Sequence, residues 1–151
     1  MIKKSSLIAT IFLALTMSAG VVFADDIEAT PEEKAYKFRD GLFNVILWRF
    51  EQMIGAKFAG DKATFHKNAS EIYYLSKMIP EGFIPNSIVK GSKAKKEIWE
   101  DWDKFTAKAA DFTKNAEELA NPSYDIASFD PKKFGGENCG GCHRKFKVKY
   151  E

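Results

Sequence analysis

The chain has 151 residues, with 23 lysine and arginine residues against 21 aspartate and glutamate residues, which gives a net charge of +2 at pH 7. This near balance argues against nucleic acid or a membrane surface as a partner. The chain has only two cysteines, which lie three residues apart. So close a pair cannot link distant elements, which excludes a disulfide-stabilised scaffold.

The first 24 residues have the pattern of a secretory signal peptide. Lys3 and Lys4 precede an uncharged, mostly apolar run over residues 7–19, and compact residues lead to Ala24. The run is shorter than the roughly 20 residues that span a bilayer, and these flanks favour cleavage over an uncleaved anchor. We expect cleavage after Ala24 and a periplasmic mature domain over residues 25–151, without a membrane span. The removed segment carries two lysines and no acid, so the mature chain is neutral.

Helical periodicity dominates the mature chain, and no segment alternates as a strand. The first helix is predicted to begin after Thr30-Pro31, an N-cap and N1 pair, and to run to about Ala59. One face of this helix carries residues that recur at steps of four and three: Arg39, Phe43, Ile46, Phe50 and Met53.

Three further helices are predicted. The second turns back after a short connection and ends at Pro80, and the third carries one unbroken seam from Ile98 to Leu119. The fourth begins at Asp130-Pro131 and is weakened by four glycines, each of which costs about 1 kcal/mol relative to alanine. A Pro- and Gly-rich link over residues 80–93 crosses one end. The pattern predicts an all-α, antiparallel four-helix bundle.

Both cysteines belong to Cys139-x-x-Cys142-His143, the attachment signature of c-type haem. Residues three apart on a helix share one face, with Cβ atoms roughly 5–6 Å apart, so two thioethers can form along one edge of a porphyrin. His143 can then reach the iron as an axial ligand, and Gly140 and Gly141 let the backbone lie against the ring. We therefore predict one covalent haem c, with its iron bound by His143.

Other sites explain the motif less well. A thioredoxin-like pair normally lies in a βαβ unit, and a zinc site usually needs four ligands, whereas His66 is the only other histidine. For the second axial position of the iron, the candidate ligands are Met53, Met78 and His66. We expect the methionines to fill the core and His66 to be solvated.

With these residues in view, the sequence resembles the cytochromes c′, the class II c-type cytochromes. The resemblance covers the whole mature chain. It is carried by Cys139-x-x-Cys142-His143, by "KFRDGLFNVILWRFEQM" in the first helix, by "PEGFIPNS" in the link and by "KEIWEDWDKF" in the third helix. It implies a left-handed bundle with haem near one end and a homodimer formed through the first two helices. The segment around Pro131 and Phe134-Gly135-Gly136 departs from the usual pattern.

The resemblance also implies roles for three residues. Phe43, one turn after Arg39, would stand over the iron where related low-spin members carry a Met ligand. Phenylalanine cannot coordinate iron, so we expect a five-coordinate, high-spin haem; otherwise Phe43 is a core aromatic. Arg39 would approach a haem propionate, or be solvated or ion-paired. Lys147 would flank the proximal pocket, or only suit the helix C-terminus.

These expectations predict a non-enzymatic protein that binds nitric oxide and carbon monoxide at an apolar distal site, where dioxygen would find no hydrogen-bond donor. Catalysis would need a polar distal side chain, and Ile46 and Phe50 lie near Phe43 instead. The alternative is an electron-transfer cytochrome with a redox partner protein. Val45 and Trp48 point away from the inner face of the first helix and are candidates for the dimer face.

Overall fold

The computed structural model describes residues 28–149, which form an all-α four-helix bundle, as predicted. Bounds of the elements are α1 Pro31–Ala59, α2 Lys62–Ser76, α3 Glu97–Glu100, α4 Trp102–Ala120, α5 Pro131–Phe134 and α6 Gly140–Phe146. A π-helical turn, Gly135–Cys139, joins α5 to α6, and the three together are called the C-terminal helix. The predicted signal peptide lies outside the described residues, so cleavage after Ala24 stays a prediction.

Helix α1 has the bounds that its sequence predicts. The Thr30 hydroxyl accepts a hydrogen bond from the Glu33 N–H at 3.2 Å, and the Glu33 carboxylate accepts one from the Thr30 N–H at 2.9 Å. This reciprocal cap satisfies two N–H groups at the start of the helix. At the other end, Gly60 adopts a left-handed conformation with φ 72°, which glycine tolerates without steric cost.

The seam predicted as one unbroken helix is interrupted at Asp101. This residue leaves the helical conformation, with φ −134° and ψ 54°, and so separates α3 from α4. Its carboxylate pairs with Lys145 of α6. Aspartate is a poor residue for a helix interior, and its partner Lys145 lies in another element, so the periodicity of apolar residues does not report this break. Helix α2 also ends early, at Ser76, and Pro80 lies in a 3-10 turn, Ile79–Gly82.

The core lies between the four bundle helices. Helix α2 packs against both α1 and α4. On the remaining side, the ring of Phe50 on α1 stacks on Phe134 of the C-terminal helix, with 5.7 Å between centroids. The buried apolar side chains with 2% exposure or less are Met53, Phe65, Ala69, Ile72, Ile98, Phe105 and Ala116. Over residues 28–149, no helix is both long and apolar enough to cross a bilayer.

The crossover link over residues 77–96 is fastened to α1 by Arg39, whose side chain is 4% exposed. Its Nη1 donates to the Gly82 carbonyl at 2.8 Å and to the Ser87 hydroxyl at 2.9 Å. Its Nη2 donates to the Ser87 carbonyl at 2.5 Å and to the Ser92 hydroxyl at 3.0 Å. Hydrogen bonds from a charged donor are roughly twice as strong as neutral ones, so Arg39 holds the link firmly.

The other end of the link is fastened to the C-terminal helix. The Lys95 N–H donates to the Phe146 carbonyl at 3.0 Å, and the Val148 N–H donates to the Lys93 carbonyl at 2.9 Å. These bonds form a short antiparallel pairing around Ala94 and Lys147. The link therefore connects α1 to the segment that carries the Cys-x-x-Cys-His motif.

Two glycine substitutions test how closely the link approaches α1. A Cβ added at Gly82 would lie 2.6 Å from the Cβ of Arg39, so Gly82→Ala should lower the free energy of unfolding by about 1–3 kcal/mol. A Cβ at Gly55, inside α1, would have no atom within 4 Å, so Gly55→Ala should raise it by up to about 1 kcal/mol. Urea unfolding of the holoprotein measures both, and an equal effect of the two changes would contradict the close contact.

Candidate haem-binding site

The Cys-x-x-Cys-His motif lies in the C-terminal helix. Cys139 is the last residue of the π turn, and Cys142 and His143 belong to α6. Both thiols are free. Cys139 and His143 are exposed, and Cys142 is half-buried against the core. The motif therefore presents two unpaired thiols and an imidazole on one helical segment at the edge of the bundle.

The π turn is held in place by Asn138, the residue directly before Cys139. The Gly140 N–H donates to the carbonyl of Gly135, five residues earlier. The Asn138 amide donates to the Phe134 carbonyl at 2.9 Å and accepts from the Asn115 side chain of α4 at 2.7 Å. Sequence analysis missed both asparagines, because only the fold brings the two residues together.

At three positions in this segment, no tightly packed neighbouring residue explains why the residue is glycine. A Cβ added at Gly136 would meet no atom within 4 Å. At Gly141 it would approach only the end of the Arg144 side chain, at 4.0 Å, and at Gly140 it would approach Arg144 at 3.2 Å and the Gly135 carbonyl at 3.7 Å. The open face of these residues, together with two thiols and an imidazole, fits a flat prosthetic group lying against the backbone.

The surroundings of the motif shift the pKa values of its three side chains. Desolvation raises the pKa of the Cys139 thiol and of the Cys142 thiol, although the positive charge of Lys108 partly opposes the shift for Cys142. Desolvation, together with the positive charge of Lys147, lowers the pKa of His143. At neutral pH the imidazole is therefore neutral, the form in which histidine binds a metal.

The ring of Phe43 lies on α1 at the same end of the bundle as the motif. It is half-buried and meets Phe83 of the crossover link edge-on, with 6.3 Å between ring centroids. Phe83 contacts Phe105 at 4.7 Å, and Phe105 contacts Phe146 of α6 at 5.5 Å. A row of aromatic rings thus connects Phe43 to the C-terminal helix.

Arg39 and Lys147 also lie at this end. The Arg39 guanidinium is buried on the link, and burial lowers its pKa, although arginine stays protonated in proteins. Lys147 lies just beyond α6 in an extended conformation, with φ −119° and ψ 140°, and its N–H donates to the His143 carbonyl at 3.1 Å. The positive charge of Lys147 helps to lower the pKa of His143, so the two side chains are near enough to interact electrostatically.

The other candidate ligands are engaged elsewhere. Met53 is fully buried in the core, and Met78 is half-buried against it. The expectation that His66 is solvated is wrong. Its Nδ1 lies 3.0 Å from the Leu119 carbonyl oxygen, and its ring packs edge-on against Phe65. Its Nε2 is buried without a hydrogen-bond partner among the residues described.

Comparison with known proteins identifies the family. A family model described as Cytochrome C′ matches residues 34–147. A curated cytochrome c′ from Cereibacter sphaeroides is 29% identical over 153 residues, which cover 95% of this chain and 97% of the relative. The solved structure of cytochrome c prime from Shewanella frigidimarina has a TM-score of 0.67 and 30% identity, covering 80% of this chain and 99% of that one.

A second solved structure contains a bound gas. It is a ferrous variant of cytochrome c prime from Alcaligenes xylosoxidans with bound NO, and it matches with a TM-score of 0.66 and 26% identity, covering 82% of this chain and 100% of that one. The matched range of the family model includes both cysteines and His143. The chain therefore belongs to the cytochrome c′ family, whose members carry covalent haem c.

Proposed function

We propose that this protein is a periplasmic c-type haem protein that binds nitric oxide and carbon monoxide at a five-coordinate, high-spin iron. The observation that carries the proposal is the apolar character of the half-buried Phe43 side chain, together with its contact to the ring of Phe83. The family resemblance implies that Phe43 occupies the place where related low-spin members carry a Met ligand, and a phenyl ring offers the iron no donor.

The residues that would hold the haem are Cys139 and Cys142, through thioether bonds, and His143, through its imidazole. The free thiols, the neutral imidazole and the open glycine face support this assignment. When bound, the haem supplies an iron with one axial position open to a diatomic gas.

Arg39 is the candidate partner of a haem propionate. Its guanidinium is buried, and none of the carboxylates in the described part of the chain lies within ion-pair distance of it. All four Nη hydrogens of Arg39 are donated to the link, so the positive charge would attract a propionate, and Nε would be the donor left for it. On the proximal side, Lys147 would contribute a compact charge beside His143 without the bidentate geometry of arginine.

Gas binding fits this site better than catalysis does. Acid–base chemistry on a bound ligand needs a polar side chain within hydrogen-bond reach. The residues one and two turns after Phe43 on α1, Ile46 and Phe50, are apolar, as is Phe83 on the link. The polar group nearby, the Arg39 guanidinium, has its Nη hydrogens donated to the link. Dioxygen is stabilised by a distal donor, whereas NO and CO depend on one less. The NO complex of the Alcaligenes xylosoxidans relative supports NO as a ligand here.

Spectroscopy of the holoprotein tests the coordination state. The holoprotein exported with its haem-attachment machinery should have the mass of residues 25–151 plus one haem, and its ferric EPR spectrum should be high-spin. A double substitution, Cys139→Ala with Cys142→Ala, should remove the added mass. Ser123→Ala is the control and should keep the mass, because Ser123 is exposed in the turn after α4, outside the motif. Low-spin, six-coordinate iron in both oxidation states would overturn the gas-binding proposal and favour electron transfer to a redox partner protein.

The distal role of Phe43 has a kinetic test. Phe43→Ala removes the ring that would stand over the iron, so CO should bind the ferrous holoprotein faster, by about tenfold if the ring contributes about 1.4 kcal/mol to the barrier. Stopped-flow mixing measures the rate. Phe58→Ala is the matched control, because Phe58 is 75% exposed at the far end of α1, and it should leave the rate unchanged. Equal rates for both variants and the parent would remove Phe43 from this role.

We also propose that α1 forms part of a homodimer face. Val45 is 44% exposed and Trp48 is 51% exposed on its outer side. Gly41 lies one turn before Val45, and a Cβ there would have no neighbour within 4 Å. An apolar strip beside a glycine lets a second helix approach closely, which agrees with the dimer that the family resemblance implies.

The proposed dimer is testable by sedimentation. Trp48→Lys places a charge in the apolar strip, so the holoprotein should sediment as a monomer at concentrations where the parent is a dimer. Ile88→Lys is the control, since Ile88 is similarly exposed, at 48%, but lies on the crossover link. If the parent is a monomer throughout, or if Trp48→Lys leaves the dimer intact, α1 does not form the interface.

A further inference from the structure

Phe83 is held rigidly by the elements around it. It follows the 3-10 turn directly and is 7% exposed. Its carbonyl accepts a hydrogen bond from the Trp99 indole at 2.9 Å, and its N–H donates to the Pro80 carbonyl at 3.1 Å. Both backbone polar groups are thus hydrogen-bonded, which fixes the position of the Cα atom from which the side chain extends.

The ring of Phe83 is enclosed as well. The Arg39 guanidinium carbon lies 5.0 Å from the ring centroid, and the ring of Phe105 lies 4.7 Å away in an edge-to-face arrangement. The cation is itself fixed by its hydrogen bonds to the link, and Phe105 is only 2% exposed. The ring therefore has little room to move away from α1.

The ring of Phe43 is less enclosed than that of Phe83, although it also packs against the core. Its side chain is half-buried, and its contact with Phe83 is the only aromatic contact that it makes within residues 28–149. A half-buried ring that meets an enclosed one can turn toward it only as far as the enclosed ring permits. Any displacement of Phe43 toward the link is therefore limited by Phe83.

We infer that Phe83 is a positioning residue for gas binding, a fixed wall that limits the displacement of Phe43 and so sets how fast a diatomic ligand reaches the iron. This inference rests on the proposed function, because it needs Phe43 to cover the distal face. Phe83 acts through Phe43 and does not itself touch the ligand. Arg39 and Phe105 act one step further away, by keeping the wall in place.

The test shortens the wall while keeping it apolar. Phe83→Leu should raise the CO association rate of the ferrous holoprotein by about two- to tenfold, the range expected from the loss of one aromatic pair. Phe83→Met provides a second variant in case leucine fails to give a folded holoprotein, because methionine is similar in volume to leucine and smaller than phenylalanine. Phe65→Leu is the control, because Phe65 is fully buried and its ring contacts are with His66, Tyr124 and Phe129, away from Phe43.

A double variant distinguishes positioning from general loosening of the core. If Phe83 acts through Phe43, the Phe83→Leu change should have no further effect once Phe43→Ala has been made. A crystal structure of the Phe83→Leu holoprotein provides an independent readout, and it should show the Phe43 ring displaced into the vacated volume. Multiplicative effects of the two substitutions, or an unmoved Phe43 ring, would overturn the inference.

The outcomes also separate this inference from the proposed function. Faster CO binding in Phe43→Ala with an unchanged rate in both Phe83 variants refutes the wall and leaves the distal role of Phe43 intact. An unchanged rate in Phe43→Ala refutes both. Equal acceleration by Phe83→Leu and by the Phe65→Leu control would mean that any loosening of the core admits CO, which also refutes the wall.

Discussion

The buried guanidinium of Arg39 is the interaction on which this end of the bundle depends. It fastens the crossover link to α1, and its ring contact with Phe83 extends that hold toward Phe43. The backbone pairing of the link with the residues after α6 carries the connection to the segment that holds His143. One link therefore joins the part of α1 around Arg39 and Phe43 to the segment that carries the Cys-x-x-Cys-His motif, so a change in the link would alter the position of both.

The bundle and the haem motif could be predicted from the sequence because both are local signals. Caps such as Thr30 and Asp130 and the recurrence of apolar residues fixed most helix bounds. The break at Asp101 could not be predicted, since its partner Lys145 is 44 residues away. The contacts of Phe83 with Arg39, Phe43 and Phe105 could not be predicted for the same reason: it is one aromatic residue in an irregular link, and only tertiary structure brings its neighbours together.

The C-terminal helix was hard to predict because its periodicity changes partway along. Phe134 and Phe146 are both buried, at 9% and 3% exposure. On a regular α-helix, residues at these positions would point about 120° apart. The π turn between them contains about one extra residue, which takes back roughly 100° of rotation and returns both rings to the core. No 3.6-residue pattern fits such a segment, and its glycines weakened the signal further.

The same turn lets the helix hold one residue more than regular winding would allow. Removing one residue from Gly135–Cys139 would restore regular α-helical winding. Phe134 and Phe146 would then be 11 residues apart, which still leaves them within about 20° of each other around the helix axis. Regular winding with every residue retained would instead rotate Cys142 and His143 by roughly 100° relative to Phe134. The direction in which the haem attachment residues face is therefore set by the widened turn, although none of their chemical groups belongs to its hydrogen bond.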